Sequence, residues 1–386
     1  MNSLATILAQ AVQDRRAPFL VGMVGTSRDV IWSGAAGEEI AEQSLTDRTM
    51  FRIVSMSKAV GATAVAILAD QDKLSWNTPV EDILPDFSQL KVLTGYKGNR
   101  AQLRKPRTQA TLRHLATHTS GLVYGFWDAE ISRFLSITSL PPIVSGLKAA
   151  FRCPMAFDPG TRWQYGSGVD WLGLVVEAVD GRSIDRFCAE EIFAPLGMND
   201  TCFELDAERA CRLAPVFGRS DDGGFGATLL SVDPPSHPEF YGMGHALFST
   251  AVDYMRFLRM WLNRGQLDGV QLLRTENATS FLKNHIGSLR LQPLKTALPI
   301  AVQDLSILPD FSKSHSLGFA RMEEDVPGMR GSGSQFWGGV LNTHFWFDPA
   351  RDIAGILMTQ LLPFLDTEFI SVYSDFERQV YTEVHG

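Results

Sequence analysis

Segments with the pattern of β-strands lie near both ends of the chain, and this restricts the folds that it can adopt. Near the N-terminus, FLVGMVG (19–25) and DVIWSGAAG (29–37) are separated by three residues, as in a β-hairpin. Near the C-terminus, residues 335–360 are rich in aromatic and branched side chains and are predicted to form two strands joined at residues 348–351. We therefore expect the strands of both ends to share one antiparallel sheet.

Helical patterns accompany these strands and dominate the middle of the chain. Apolar residues at helical spacing predict amphipathic helices over 4–12 and 366–384, and the Ala-rich residues 59–71 predict a buried helix. The whole is predicted to be an α+β fold, an antiparallel sheet flanked by helices. Residues 1–75 and 237–386 would form one α/β lobe, and residues 76–236 an inserted, mostly helical lobe. A ligand cleft is expected between the lobes.

Composition narrows the class of partner. The 386 residues carry 35 basic and 43 acidic side chains, a net charge of −8, whereas nucleic acids and anionic membranes select basic surfaces. We expect neither as a partner. No apolar run reaches membrane-spanning length, and the N-terminus lacks the basic region of a signal peptide, so the cytoplasm is the expected location. The four cysteines show no CxxC spacing and are expected to be free, buried or half-buried thiols.

Several common catalytic motifs are missing from the sequence. No serine has glycines at both −2 and +2, which removes the main support for an α/β-hydrolase. His114 and His118 are four residues apart on a predicted helix, where they would share a face. No third ligand accompanies them, and we interpret them as structural histidines. No metal and no cofactor are expected.

The Ser-x-x-Lys spacing places two side chains on one face of a helical turn, where a lysine with a lowered pKa can take the proton of a serine. The spacing occurs four times, at Ser55/Lys58, Ser88/Lys91, Ser145/Lys148 and Ser280/Lys283. Ser55 differs because it follows an apolar run and precedes the most apolar helix. That context predicts a hydroxyl at a helix N-terminus and a buried Lys58. A plain N-cap serine is an equally good interpretation of the local pattern.

Two further segments carry residue types that suit a serine nucleophile. Tyr165 follows an Asp-Pro-Gly turn, and a tyrosine beside a lysine ammonium can act as a base through its phenolate; the alternative is a buried aromatic residue. The run Trp337-Gly338-Gly339-Val340 is predicted to open a strand, and its glycines would let a ligand approach the backbone. The N–H groups of Ser55 and Val340 would form an oxyanion hole, unless the glycine pair marks a β-bulge.

The order of these blocks resembles the serine β-lactamase and penicillin-binding protein superfamily. The most similar group is the family VIII carboxylesterases, which look like class C β-lactamases. The resemblance covers nearly the whole chain through FRIVSMSKAV, LRHLATHTSGL, FDPGTRWQYGSG, APLGMNDT, LFSTAVDYMRFL and WGGVLNTHFWFDP. It implies that Ser55 is acylated, that Lys58 helps to deprotonate it, and that Tyr165 is the general base. It also implies an oxyanion hole from Ser55 and Val340.

Two departures from the superfamily pattern bear on the substrate. Ser167 stands where many β-lactamases have Asn, and a hydroxyl can still form hydrogen bonds. Trp337 opens the strand motif in place of the lysine of Lys-Thr-Gly, a cation that suits the carboxylate of a β-lactam. An apolar wall favours neutral acyl esters. Tyr124, Phe126 and Trp127 are expected to line the acyl pocket or to pack the lobe.

These observations together predict a serine carboxylesterase that hydrolyses short-chain acyl esters through an acyl-enzyme on Ser55. The expected partner is a small-molecule ester, and the oligomeric state is left open. The alternatives are a β-lactamase or D-alanyl peptidase, an acyltransferase to an alcohol acceptor, and a catalytically silent binding protein on the same fold.

Overall fold

The fold is built around a central antiparallel sheet. The structure is a computed structural model and describes residues 2–38, 44–228 and 230–385. The strands in this part of the chain are β1 (Phe19–Gly25), β2 (Val30–Gly37), β3 (Phe51–Arg52), β4 (Val92–Lys97), β5 (Arg100–Arg104), β6 (Phe217–Arg219), β7 (Phe225–Ala227), β8 (Phe248–Ser249), β9 (Gln266–Leu267), β10 (Val270–Gln271), β11 (Lys313–His315), β12 (Ala320–Met322), β13 (Gln335–Gly339), β14 (Thr343–Asp348), β15 (Ile353–Met358) and β16 (Leu361–Leu362).

Twelve α-helices are present in the same described residues. They are α1 (Asn2–Gln13), α2 (Ser57–Asp70), α3 (Val80–Ile83), α4 (Leu112–Ala116), α5 (Ala129–Thr138), α6 (Gly168–Asp180), α7 (Ile184–Cys188), α8 (Ala194–Leu196), α9 (Ala207–Cys211), α10 (Ala251–Leu262), α11 (Thr275–Phe281) and α12 (Thr367–His385). No helix of the described chain is long and apolar enough to cross a membrane.

The sheet joins the two ends of the chain, as the strand-like segments predict. Its order is β11-β12-β13-β14-β15-β1-β2, and each neighbouring pair is antiparallel. The N-terminal strand β1 pairs with β15, so that Val21 lies opposite Met358. The terminal helices α1 and α12 pack on each other, and α10 packs on β1 and β15. The predicted α+β fold class is therefore confirmed.

The prediction of two strands over residues 335–360 is wrong, because this stretch forms the three strands β13, β14 and β15. The extra turn lies between β13 and β14. Asn342 adopts a left-handed conformation there, with φ 59°, and its N–H donates to the Gly339 carbonyl over 2.9 Å. Trp337 accordingly lies in the middle of β13, and the glycine pair ends the strand instead of opening it.

Helix α2 lies in the core, as its apolar composition predicts. Every residue of its first twelve, from Ser57 to Leu68, is buried, and the helix packs against α6. Gly61 allows this packing, because a Cβ atom there would lie 3.0 Å from Cγ1 of Val169 on α6. A helix buried on all sides can desolvate any charged group that it carries.

The middle of the chain contains α3–α9, the hairpin β4–β5 and the short strands β6 and β7. Strand β6 pairs in parallel with β16, which ties the middle to the C-terminal region. The lobe boundaries at 75/76 and 236/237 stay predictions. All four cysteines are free, but Cys211 is exposed, unlike the buried or half-buried thiols expected.

The expected shared face of His114 and His118 is not formed. Helix α4 ends at Ala116, and His118 beyond it has a φ of 57°. The side chain of His118 therefore does not continue the helix face that carries His114. The His114 ring accepts the N–H of Thr111 in a capping box. Among the described residues no cluster of three metal-ligating side chains is found.

Candidate active site

Ser55 lies in a 3-10 helix of one turn, Val54–Met56, which leads directly into α2. The preceding residue, Val54, has a φ of 45°. A left-handed conformation is costly for a β-branched residue, and such strain is concentrated at functional sites. Ser55 itself is half-buried. The hydroxyl is thus presented at the start of α2, as expected, on a backbone that surrounding contacts hold in an uncommon conformation.

Lys58 is 3% exposed, and its ammonium has two polar contacts. Nζ lies 3.2 Å from the Ser55 Oγ and donates to the Gly244 carbonyl over 2.7 Å. Burial lowers the pKa of Lys58 from 10.5 to about 7, although the negative charge of Asp170 acts in the opposite direction. A large fraction of Lys58 is therefore neutral near pH 7 and able to accept the Ser55 proton.

The other three Ser-x-x-Lys pairs have different surroundings. The Ser88 hydroxyl donates to the Pro85 carbonyl, and the Ser145 hydroxyl accepts from the Leu147 N–H. Ser280 is exposed on the short helix α11. Ser55 and Lys58 are brought together in a buried environment, which the spacing alone does not require.

Tyr165 is 2% exposed and lies beside Ser55, with a hydrogen bond between the two hydroxyls. The indole N–H of Trp337 donates to the Tyr165 hydroxyl over 3.0 Å. Burial raises the pKa of Tyr165, and the hydrogen bonds from Ser55 and Trp337 offset this only in part. The expected stabilised phenolate is therefore not favoured. Burial thus acts in opposite directions on the pKa values of Lys58 and Tyr165, because it disfavours the charged form of each.

The glycine pair of β13 lies against the segment that carries Ser55. A Cβ atom at Gly339 would lie 2.4 Å from the Ile53 carbonyl oxygen, so only glycine permits this approach. The pairing of β13 with β14 has no register shift, which excludes the alternative of a β-bulge. A Cβ atom at Gly338 would instead meet the His344 ring at 2.8 Å. Val340 follows the last residue of the strand and is half-buried.

The aromatic residues after α4 surround Tyr165. The ring centroids of Tyr124 and Trp127 lie 5.4 and 5.6 Å from that of Tyr165. Phe126 stacks on Tyr124 at 4.7 Å and is only partly buried. Nζ of Lys58 lies 5.1 Å from the Tyr124 ring centroid. These residues pack around Tyr165 and Lys58. That they line an acyl pocket stays a prediction.

Ser167 lies one residue before α6 and is half-buried. Its side chain does not cap the helix. Gly166 lets the backbone before Ser167 pass close to Leu122, because a Cβ atom at Gly166 would lie 1.8 Å from the Leu122 carbonyl oxygen. The close passage of the two backbone segments fixes the loop that carries Tyr165.

A family model described as Beta-lactamase matches residues 4–370. The chain belongs to the beta-lactamase family. It is 27% identical to lovastatin esterase of Penicillium rubens over 367 residues, 91% of this chain and 90% of that protein. It is 28% identical to monacolin J acid methylbutanoyltransferase of Aspergillus terreus over 354 residues, 87% and 82% of the two chains.

Among solved structures, unliganded simvastatin synthase (LovD) from Aspergillus terreus superposes with a TM-score of 0.83 at 25% identity. The match covers 100% of this chain and 99% of the other. The beta-lactamase fold of the chain is thereby shown, and the comparisons support a serine hydrolase or acyl-transfer enzyme.

The structure adds residues to the site of this beta-lactamase-family protein that sequence reasoning missed. Asp170 of α6 is fully buried and contacts the Gly244 N–H, while Gly244 contacts Lys58. His118 lies against Tyr165, with 4.6 Å between ring centroids. The signal available for Asp170 was a single acid inside the otherwise apolar run GVDWLGLVV. Gly244 carried no signal, since its role depends on residues far away in the sequence.

Proposed function

We propose that the protein is a serine acyl-transfer enzyme that moves a short acyl group from an ester to an alcohol acceptor, with water as the competing acceptor. The observation that carries this proposal is the 3.2 Å contact between the Ser55 hydroxyl and a Lys58 amine whose pKa is lowered to about 7. The names of the relatives, an esterase and a methylbutanoyltransferase, support acyl transfer at least as strongly as plain ester hydrolysis. Membership of the family VIII carboxylesterases is part of the proposal.

Acylation begins with neutral Lys58, which accepts the Ser55 proton as Oγ attacks the ester carbonyl carbon. The carbonyl oxygen becomes an oxyanion and accepts hydrogen bonds from the N–H groups of Ser55 and Val340. The bond to the leaving alcohol then breaks, and the alkoxide takes the proton from the Lys58 ammonium. Tyr165, hydrogen-bonded to Ser55, stays a neutral phenol that holds the hydroxyl in position.

Deacylation repeats these steps in reverse with the acceptor. Lys58 takes the proton of the incoming alcohol or water, whose oxygen attacks the acyl carbon. When the bond to Ser55 breaks, Oγ recovers the proton from Lys58. Aromatic rings surround Tyr165, and Lys58 is 3% exposed. Such shielding of the base supports a bound alcohol over water as the acceptor, because exclusion of water slows hydrolysis of the acyl-enzyme.

Hydrolysis of β-lactams is a weaker candidate than acyl transfer. Trp337 occupies the position at which the resemblance places a lysine in β-lactamases, and its indole N–H is already used by Tyr165. No positive charge at that position pairs with a β-lactam carboxylate. Nitrocefin turnover that matches ester turnover would reverse this ranking.

The test uses p-nitrophenyl butyrate with and without an added alcohol, for wild type, Ser55→Ala and Ser280→Ala. Ser280 is a matched control because Lys283 gives it the same spacing. We expect a butyryl adduct on Ser55 by intact mass, a butyrate ester of the added alcohol, and a loss of activity of at least about 10³-fold in Ser55→Ala only. Equal rates in wild type and Ser55→Ala would refute the proposal.

A further inference from the structure

The peptide group of Gly244 lies between Lys58 and the buried carboxylate of Asp170. The Gly244 carbonyl accepts the Lys58 ammonium over 2.7 Å, and the Gly244 N–H donates to Asp170 Oδ1 over 2.8 Å. A Cβ atom at position 244 would lie 2.7 Å from Asp170 Oδ2 and 3.0 Å from the Tyr124 hydroxyl. Only glycine at this position leaves room for the Asp170 carboxylate to approach the peptide group so closely.

Asp170 is a fully buried acid with few polar contacts. It is 0% exposed, and its Oδ2 has no hydrogen-bond partner among the described residues. His245 Nδ1 lies 3.6 Å from Oδ1, but burial lowers the pKa of His245 and favours the neutral ring. A buried carboxylate needs a compensating cation, and Lys58 on the far side of the Gly244 peptide is such a cation when protonated.

We propose that Asp170 is a positioning residue for Lys58: through the Gly244 peptide it fixes the amine beside Ser55, and its charge stabilises the ammonium that forms when Ser55 gives up its proton. The arrangement is a nucleophile, a base and a third group that orients the base. This inference rests on the proposed function, since it assigns a proton acceptor to the acylation step. Sequence separation hid it, because Lys58 and Gly244 are 186 residues apart.

The other groups that face Lys58 do not supply a negative charge near neutral pH. Burial lowers the pKa of both His118 and His245, so these rings are neutral. Burial raises the pKa of both Tyr124 and Tyr165, so these phenols are neutral as well. Asp170 remains as the carboxylate that acts on Lys58 in the described part of the chain.

The test compares wild type, Asp170→Asn and Asp253→Asn in two measurements. Asp253 on α10 is the matched control, because it is also a buried acid and accepts a hydrogen bond from the Thr201 hydroxyl. The first measurement is the burst rate of p-nitrophenyl butyrate acylation from pH 5 to pH 9. The second is an NMR titration of Lys58 in protein labelled with [¹⁵N]lysine, assigned with Lys58→Met.

We expect Asp170→Asn to move both the acid limb of acylation and the Lys58 titration down by about one pH unit. The plateau rate should fall about 10-fold or more, because a weaker base accepts the proton less readily. Asp253→Asn should leave both midpoints unchanged. If Asp170→Asn does not fold, Asp170→Ser is used in its place in both measurements. The serine hydroxyl retains an acceptor for the Gly244 N–H.

Unchanged midpoints in a folded Asp170 variant would overturn the inference, even if Ser55 is acylated normally. Absence of a Ser55 adduct in wild type would instead refute the proposed function, while the Lys58 titration would still decide the role of Asp170. The two failures are therefore distinguishable.

Discussion

The indole N–H of Trp337 donates a hydrogen bond to the hydroxyl of Tyr165 over 3.0 Å, and the two rings lie 4.7 Å apart. This contact joins strand β13 to the loop before α6. Trp337 therefore holds the phenol that contacts Ser55, a role beyond that of an apolar wall. Four consequences of the site geometry can be measured.

Replacing Trp337 by Phe keeps an aromatic ring and removes only the N–H. We expect kcat for p-nitrophenyl butyrate to fall about 5-fold, since one hydrogen bond contributes about 1 kcal/mol and 1.4 kcal/mol corresponds to a factor of ten. Trp163→Phe is the control, because the Trp163 indole N–H is buried without a partner among the described residues. An equal loss in both variants would show that Trp337 acts through packing alone.

The pH dependence of acylation should follow Lys58. Its pKa of about 7 means that the neutral, proton-accepting form increases as pH rises through 7. We expect the burst rate to be half-maximal near pH 7 and to reach a plateau above pH 8. A rate that keeps rising towards pH 10 would assign the base to Tyr165, whose pKa is raised by burial.

Lys58 should lower the stability of the folded protein at acid pH. Its pKa is about 7 when folded and about 10.4 when unfolded, so the unfolded chain binds more protons between these values and stability rises with pH across that window. Below pH 7 the full penalty is present. We expect the change in Tm caused by Lys58→Met to be more favourable by several degrees at pH 6 than at pH 9. Calorimetry at both pH values checks this, and an equal change in Tm at the two values would contradict it.

Gly339→Ala should damage the site through the backbone. The new Cβ would lie 2.4 Å from the Ile53 carbonyl oxygen, so the segment before Ser55 or the end of β13 must move. We expect acylation to fall at least about 100-fold, in line with the loss of an oxyanion-hole donor, and stability to fall by about 1–3 kcal/mol.

Gly226→Ala is the control for this substitution, because a Cβ at Gly226 meets nothing within 4 Å. Burst kinetics and urea unfolding measure the two effects. Normal acylation by Gly339→Ala would show that β13 does not need this close approach.

Local sequence patterns determined much of the fold. The periodicity of residues 4–12 and 366–384 indicated α1 and α12, and the apolar run after Ser55 indicated the buried helix α2. Strand-like segments at both ends indicated the shared sheet. Such patterns can be read because each reflects which face of an element is buried. The turn at Asn342 was missed, since the left-handed conformation of one residue inside an apolar run leaves no periodic signal.

The tertiary structure decided the chemistry of the site. The sequence offered four Ser-x-x-Lys pairs, and the apolar context of one of them predicted a buried Lys58, but it could not show which groups surround the amine. Burial lowers the pKa of Lys58 to about 7 and raises that of Tyr165. Asp170 and Gly244 are 74 residues apart in the sequence, and the fold brings them into hydrogen-bond contact. Proton affinities depend on solvent exclusion and on charges brought close by folding, and neither property is encoded in local spacing.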